Sequence, residues 1–209
     1  KRIEDKLSEG FRCVKLKIGA IDFDSEMTLI KSIRKRYSKS AIELRVDANG
    51  GFTAGDAMSR LEELSKYDIH SIEQPIRQKQ WHEMSYLCAN TPVPIALDEE
   101  LIGVNIPKMK DDLLDYIKPQ YIVLKPTLHG GMKGTREWIE KSRERNVDSW
   151  ITSALESSVG LSAIAQLTSD IYGNDITMAQ GLGTGALFAD NLPSQTEIRG
   201  DKIWMTGKK

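Results

Sequence analysis

Five short apolar runs in this chain each end in a charged side chain, and those charges recur at nearly even intervals. The runs are Val14-Lys15-Leu16-Lys17, Leu44-Arg45-Val46-Asp47, Ser71-Ile72-Glu73, Ile95-Ala96-Leu97-Asp98 and Val123-Leu124-Lys125. Lys17 and Asp47 are 30 residues apart, and the following steps are 26, 25 and 27. Parallel strands cannot be joined by a tight turn; each pair needs a crossover of a dozen or more residues, usually a helix. A repeat of this length is what one strand plus one crossover helix occupies. The chain therefore reads as successive βα units, each presenting a charged group at its strand's C-terminal end.

The intervening segments carry the helical period. Phe23, Met27, Ile30, Ile33 and Tyr37 form one apolar stripe; Ala57, Leu61 and Leu64 form another, and Trp81, Met84, Leu87 and Cys88 a third. Further helices are predicted over Lys108–Ile117, around Met132, Trp138 and Ile139, and around Val159, Leu161, Ile164 and Leu167. A sixth strand is predicted at Trp150–Thr152 and a short seventh at Ile176–Ala179, before the glycine-rich run Gly181-Leu182-Gly183-Thr184-Gly185. Glu197 to Trp204, around Gly200-Asp201, reads as a small hairpin or extended arm. Alternating strands and helices give an α/β class. An open doubly wound sheet gathers its ligands at one switch point. Charged groups on five successive strands instead fit a TIM-type (β/α) barrel, whose mouth collects them in a ring. Such a barrel has eight strands in about 250 residues. Seven strands in 209 residues predict a barrel lacking its first strand. Residues 1–192 would supply strands two to eight, and 193–209 a C-terminal arm.

Composition narrows the function classes. A formal net charge of −1 gives no bulk attraction for nucleic acid or an anionic membrane. No apolar run approaches a bilayer span. Cys13 and Cys88 lack CxxC neighbours, so reduced thiols are expected rather than a disulfide or zinc site. This usage, with no signal-peptide pattern in the first residues, leads us to expect a cytoplasmic enzyme acting on a small molecule.

Any one of Asp47, Glu73 and Asp98 could cap a helix or form an ion pair. Three acids at the same place in three successive units point to a shared cation instead. Oxygen-only ligation favours a hard divalent ion, Mg²⁺ first and Mn²⁺ as an alternative. Lys15, Lys17 and Lys125 flank the acids in sequence order. A lysine partly desolvated beside a cation moves toward base strength. The combination suits proton abstraction next to a carboxylate, with a metal holding the developing enediolate.

Lys15-x-Lys17, Asp47-x-Asn49, Glu73-Gln74-Pro75, Asp98-Glu99 and Lys125-Pro126 resemble the enolase superfamily, in the branch of the muconate-lactonising enzymes. Leu97-Asp98-Glu99-Glu100-Leu101-Ile102-Gly103 and Ser153-Ala154-Leu155-Glu156-Ser157-Ser158-Val159-Gly160 are similar, within it, to the o-succinylbenzoate synthase family of menaquinone biosynthesis. The resemblance implies that Lys17 is the general base, that Lys15 helps hold the substrate carboxylate, and that Asp47, Glu73 and Asp98 bind Mg²⁺. Lys125 would stabilise the intermediate from the opposite face. The implied reaction is a syn dehydration of a cyclohexadiene carboxylate, a carbon–oxygen lyase reaction. It also implies an α+β capping domain, absent from this chain, against which the arm would pack.

Substrate contacts are expected from the later loops: Ser153 and the backbone at Gly130, Gly131, Gly181 and Gly183, since glycine permits close approach. Asn49 and Glu99 are expected to support the acids, and His129 to be a surface loop residue. Two other readings stay open. An N-acylamino-acid racemase would use Lys17 and Lys125 as bases on opposite faces, and an inactive barrel fragment would serve as a binding module. Dipeptide epimerases carry Asp-x-Asp after the last strand, where this chain has Met178-Ala179-Gln180-Gly181.

Overall fold

The computed structural model describes residues 2–173, 176–184, 188, 190–193 and 195–206. Six strands form one sheet: β1 (Cys13–Lys17), β2 (Glu43–Asp47), β3 (Ser71–Glu73), β4 (Ile95–Leu97), β5 (Tyr121–Leu124) and β6 (Asp148–Ile151). All neighbouring pairs are parallel, and sheet order is chain order. Helix α1 (Arg2–Ser8) precedes the sheet. The crossovers are α2 (Phe23–Arg36), α3 (Ala57–Ser65), α4 (Trp81–Asn90), α5 (Pro107–Ile117) and α6 (Gly131–Arg143), and α7 (Ser158–Tyr172) follows β6. Local chemistry sets several helix starts. Asp22 caps α2 by accepting the Ser25 N–H, and Pro107 opens α5, where its missing N–H costs nothing.

An order without reversal has no switch point, which removes the doubly wound alternative. The sheet is also curled. Arg45 of β2 lies with its guanidinium 4.2 Å from the ring centroid of Trp150 of β6. In a flat sheet, four strand spacings of about 4.8 Å would hold those residues roughly 19 Å apart. The six strands are thus the larger part of a barrel wall, as the sequence predicts.

Side chains alternate across this wall. Leu44, Val46, Ile72, Ile95, Leu97, Ile122, Leu124 and Ile151 face outward and share one core with Ile30, Leu61, Leu64, Met84, Leu113 and Trp138 of the helices. Burying each such side chain contributes about 1.5–3 kcal/mol. The inward positions carry a separate, small apolar cluster of Ala96, Val123 and Trp150, with Tyr121 and Met178 against it. The alternation leaves Lys15, Lys17, Arg45, Asp47 and Glu73 on the inner side. Helix packing thus consumes the outer, apolar half of the strands, and on β1, β2 and β3 the inner half is polar.

The predicted seventh strand over Ile176–Ala179 does not form. The chain meets the sheet just beyond it, through one isolated bridge from Thr152, the residue after β6, to Gly181. The reason is local: the Ile151 N–H goes to the side-chain oxygen of Gln180 at 2.7 Å, where a strand would offer a main-chain carbonyl. Of the glycine run, Gly185 lies outside the described residues, as do 194 and 207–209 of the arm. The expected hairpin is present as β7 (Thr196–Arg199) and β8 (Lys202–Met205), antiparallel, turning at Gly200. Its turn lies beside Gly10 at the end of α1, and Ile203 packs on the main core.

Candidate active site

Lys17, Asp47 and Glu73 stand side by side in register at the C-terminal ends of β1, β2 and β3. Asp98 follows β4 directly and Lys125 follows β5 directly. The first two strand ends are held by their loops. The buried Glu26 carboxylate accepts the N–H groups of Gly19, Ala20 and Ile21 at 2.7, 3.2 and 3.4 Å. Gly51 sits so close to the Gly19 and Ala48 carbonyls that a Cβ there would lie 2.8 Å from each.

The acids and lysines form a chain of ion pairs. Lys17 Nζ is 3.0 Å from Asp47 Oδ2 and 2.5 Å from Asn49 Oδ1. Lys15 Nζ bridges Asp47 Oδ2 at 3.3 Å and Glu73 Oε2 at 2.8 Å. On the far side, Lys125 Nζ donates to both oxygens of Asp98, at 2.7 and 2.5 Å. The two lysine-bearing strands thus flank the row of carboxylates. The acids are buried, whereas the Lys17 side chain is 66% exposed and Lys125 only 19%.

Burial and charge divide the three acids. Burial pushes Glu73 up to about 7, and the attraction of Lys15 does not offset it. Asp98 is raised for the same first reason, with Lys125 opposing. Burial also acts against Asp47, but Lys15 and Lys17 together overcome it and hold its carboxyl below the usual range. Lys15 is raised: Glu73 and Asp47 outweigh the desolvation that would lower it.

Two residues after these strands adopt left-handed backbone, Asn49 at φ 44° and Gln74 at φ 39°. Asn tolerates that region; Gln rarely does and must be held there. Gln74 is buried, and its side-chain oxygen accepts the N–H groups of Asp98 and Glu100, both at 3.2 Å. Its amide nitrogen donates to the Ile76 carbonyl and to Glu100. Glu100 in turn receives the Trp81 indole N–H at 2.8 Å. Gln74 therefore ties the end of β3 to the start of the segment that carries Asp98. Asn49 spans the other direction, donating to Glu99 Oε1 at 2.8 Å while accepting from Lys17.

These residues offer the donor chemistry of a divalent-cation site, with three carboxylates on adjacent strands and one buried oxygen, Glu73 Oε1, without a hydrogen-bond partner. Strand register puts Asp47 beside Glu73, and Asp98 follows the next strand. Among the described residues no three His, Cys, Asp or Glu side chains form a ready-made metal cluster. The lysine ammonium groups stand against the acids instead: Lys15 is shared by Asp47 and Glu73, and Lys125 takes Asp98.

The family model described as enolase C-terminal domain-like matches residues 1–200. The chain belongs to this family. It is 56% identical over 199 residues to the o-succinylbenzoate synthase of Desulfotalea psychrophila, covering 95% of this chain and 53% of that protein. The crystal structure of MenC from the same organism superimposes with a TM-score of 0.91 at 53% identity, over 97% of this chain and 55% of that one. The L-Ala-D/L-Glu epimerase of Bacillus subtilis is more distant, 27% identical over 164 residues, with 78% of this chain and 44% of the epimerase covered. A muconate lactonizing enzyme shares the fold at a TM-score of 0.83 and 21% identity, over 98% of this chain and 58% of that chain. The chain spans about half the length of the curated relatives it matches.

In this enolase-like barrel the loop residues expected to meet substrate have varied surroundings. Ser153 is buried, and its hydroxyl donates to Glu156 Oε2 at 2.5 Å and accepts the Leu155 N–H at 2.9 Å. Gly181 faces Thr152, whose Oγ1 would lie 2.3 Å from an added Cβ. Gly130 caps α6 in left-handed backbone against Gly134, whereas Gly131 and Gly183 have open space where a side chain would start. His129 corrects the expectation of a surface residue: it is fully buried, because the loop folds its ring back beneath Lys125.

Glu156 was not singled out by sequence reasoning, because one carboxylate in a loop carries no periodic signal. It gathers the Ser153 and Thr127 hydroxyls and the Ala154 N–H, so it joins the loops after β5 and β6. Burial opposes its charge, but the bonds from Ser153 and Thr127 hold its carboxyl below the ordinary range. Leu155, at φ 69°, lies inside this closure and donates its N–H to the Ser153 hydroxyl. Glu156→Gln is expected to cost the loop roughly 1.5–3 kcal/mol, since bonds to a charged acceptor are lost. Amide exchange at residues 153–157 should rise; unchanged protection there would show that the carboxylate does not hold the loop.

Proposed function

We propose that this chain is the catalytic barrel of a divalent-metal-dependent dehydratase that forms o-succinylbenzoate from a cyclohexadiene carboxylate. The observation that carries the reading is the flanked row, in which lysines from β1 and β5 approach three strand-end carboxylates from two sides. The 56% identity to an o-succinylbenzoate synthase supports the choice of substrate.

Lys17 is the base. Its exposed amine can reach a substrate in the mouth, and Asn49 and Asp47 orient it. As the free amine it takes the proton α to the substrate carboxylate. As the ammonium it returns that proton to the departing hydroxide, so one C–H and one C–O bond break and water leaves. Lys15 holds negative charge at the substrate carboxylate, and Lys125 offers a cation from the other side. Asp47, Glu73 and Asp98 would hold Mg²⁺, or Mn²⁺, which supplies Lewis-acid stabilisation of an enediolate.

A racemase acting on N-acylamino acids is the second reading, favoured by Lys125 standing where a second base would. Two assays separate them. Dehydration of the cyclohexadiene carboxylate without α-deuterium exchange in an N-succinylamino acid supports the synthase; exchange without dehydration supports the racemase.

Metal binding should be pH-linked through Glu73. Its folded-state pKa of about 7 lies above the ordinary 4.5, so the folded chain without metal binds a proton between those values and gains stability as pH falls through that window. A cation needs the anion. Mg²⁺ affinity should therefore rise about tenfold per pH unit below 7 and level off above it, with release of up to one proton. Calorimetry in buffers of different ionisation enthalpy measures this; a flat profile would remove Glu73 from the ligand set.

A further inference from the structure

We propose that His129 is a positioning residue for Lys125, fixing the main chain from which that amine reaches the acids. The inference rests on the reading of Lys125 as part of the reacting site.

Lys125 is the first residue beyond β5, and Pro126 follows it. Its own N–H lies past the strand, and His129 Nδ1 accepts it at 2.9 Å. A buried N–H left unpaired would cost about 1–3 kcal/mol, so the ring satisfies a group that the end of the sheet would strand. Accepting that bond leaves the ring proton on Nε2, which is buried and has no hydrogen-bond partner. The ring therefore gives up one of its own bonds while serving Lys125.

The surroundings pin the His129 main chain. The His129 N–H returns to the Lys125 carbonyl at 3.1 Å, closing the turn that holds both residues. Its carbonyl lies so near Gly134 that a Cβ there would be 2.1 Å away. The Gly134 carbonyl is in turn held by Lys110 Nζ at 3.2 Å, an ammonium 1% exposed and paired with Glu137. Burial first, then Lys125 and Lys110, push the imidazole down to about 4, so Nδ1 stays an acceptor at neutral pH. The fixed Lys125 places its Nζ on both oxygens of Asp98. A shift of its main chain would move that amine directly.

Two variants of the protein test the idea. His129→Asn keeps an acceptor atom near the Nδ1 position, and His129→Leu keeps bulk without one. His129→Leu should lose on the order of 100-fold in kcat, as for a misplaced catalytic group, with KM little changed and the Lys125 amide exchanging faster. His129→Asn should restore most of both. In a Lys125→Ala background, His129→Leu should cost nothing further. Equal behaviour of Asn and Leu, an undisturbed Lys125 amide in the Leu variant, or an undiminished loss in the Lys125→Ala background would each overturn the proposal. The amide exchange needs no turnover, so it decides about His129 even where the proposed dehydration fails.

Discussion

Lys17→Ala is expected to lower the dehydration rate by about 10³-fold or more while leaving the fold and cation binding in place. General acid–base groups contribute about 10²–10⁴-fold, and one amine serving both proton removal and proton return belongs toward the upper end. The local geometry makes the experiment clean. The Lys17 side chain is mostly exposed, so little packing is lost. Asp47 keeps Lys15 at 3.3 Å, so no buried acid is left without a countercharge. Removing Lys15 instead would strip the bridge between Asp47 and Glu73 and confuse stability with catalysis. Rate, Mg²⁺ affinity and thermal midpoint should be measured together. Retention of a tenth of the activity would exclude Lys17 as the base.

Gly134→Ala should destabilise the protein by about 3 kcal/mol or more, against the general trend for a helix. Inside a helix, alanine is ordinarily favoured over glycine by roughly 0.5–1 kcal/mol. Here the added methyl would lie 2.1 Å from the His129 carbonyl oxygen and 3.0 Å from its carbon, both main-chain atoms. Overpacking typically costs 1–3 kcal/mol, and more where the opposing atom cannot swing away. The small propensity gain therefore loses. Because α6 and the turn after β5 meet at this contact, the displaced backbone is the one bearing Lys125. Denaturant unfolding gives the sign directly: an alanine variant as stable as the parent would show that this contact is slack.

The fold was legible because its signal is periodic. Apolar positions at helical spacing, alternating with strand-like runs that end in charge, identified the βα units, and the six strands of the sheet begin and end near their expected residues. The failure at Ile176–Ala179 has a local cause. Whether a short apolar run becomes a strand depends on what its neighbour offers, and β6 takes a Gln180 side chain. The acids and lysines were legible because they sit at strand ends, a position that composition and spacing reveal. Gln74, Glu100, Glu156 and His129 were not. Each acts by accepting or donating a bond across two loops, and such pairings depend on loop paths that sequence spacing does not encode. The ion pairing of the carboxylates was equally invisible: spacing suggested a shared cation and said nothing of Lys15 joining Asp47 to Glu73 or of Lys125 on Asp98.

Sheet order equal to chain order has a consequence for synthesis. A strand leaving the ribosome finds its partner already made, immediately upstream, so pairing can advance one βα unit at a time in the direction of translation. No strand has to wait with both edges bare for a distant mate, which shortens the exposure of a sticky edge. One contact that breaks this pattern is Arg45 on Trp150, which spans more than 100 residues; the Arg45 guanidinium also reaches the Ala179 carbonyl. The wall can thus be laid down strand by strand during elongation, and the contacts that hold its curvature through Arg45 form only once the sixth strand and the segment after it arrive.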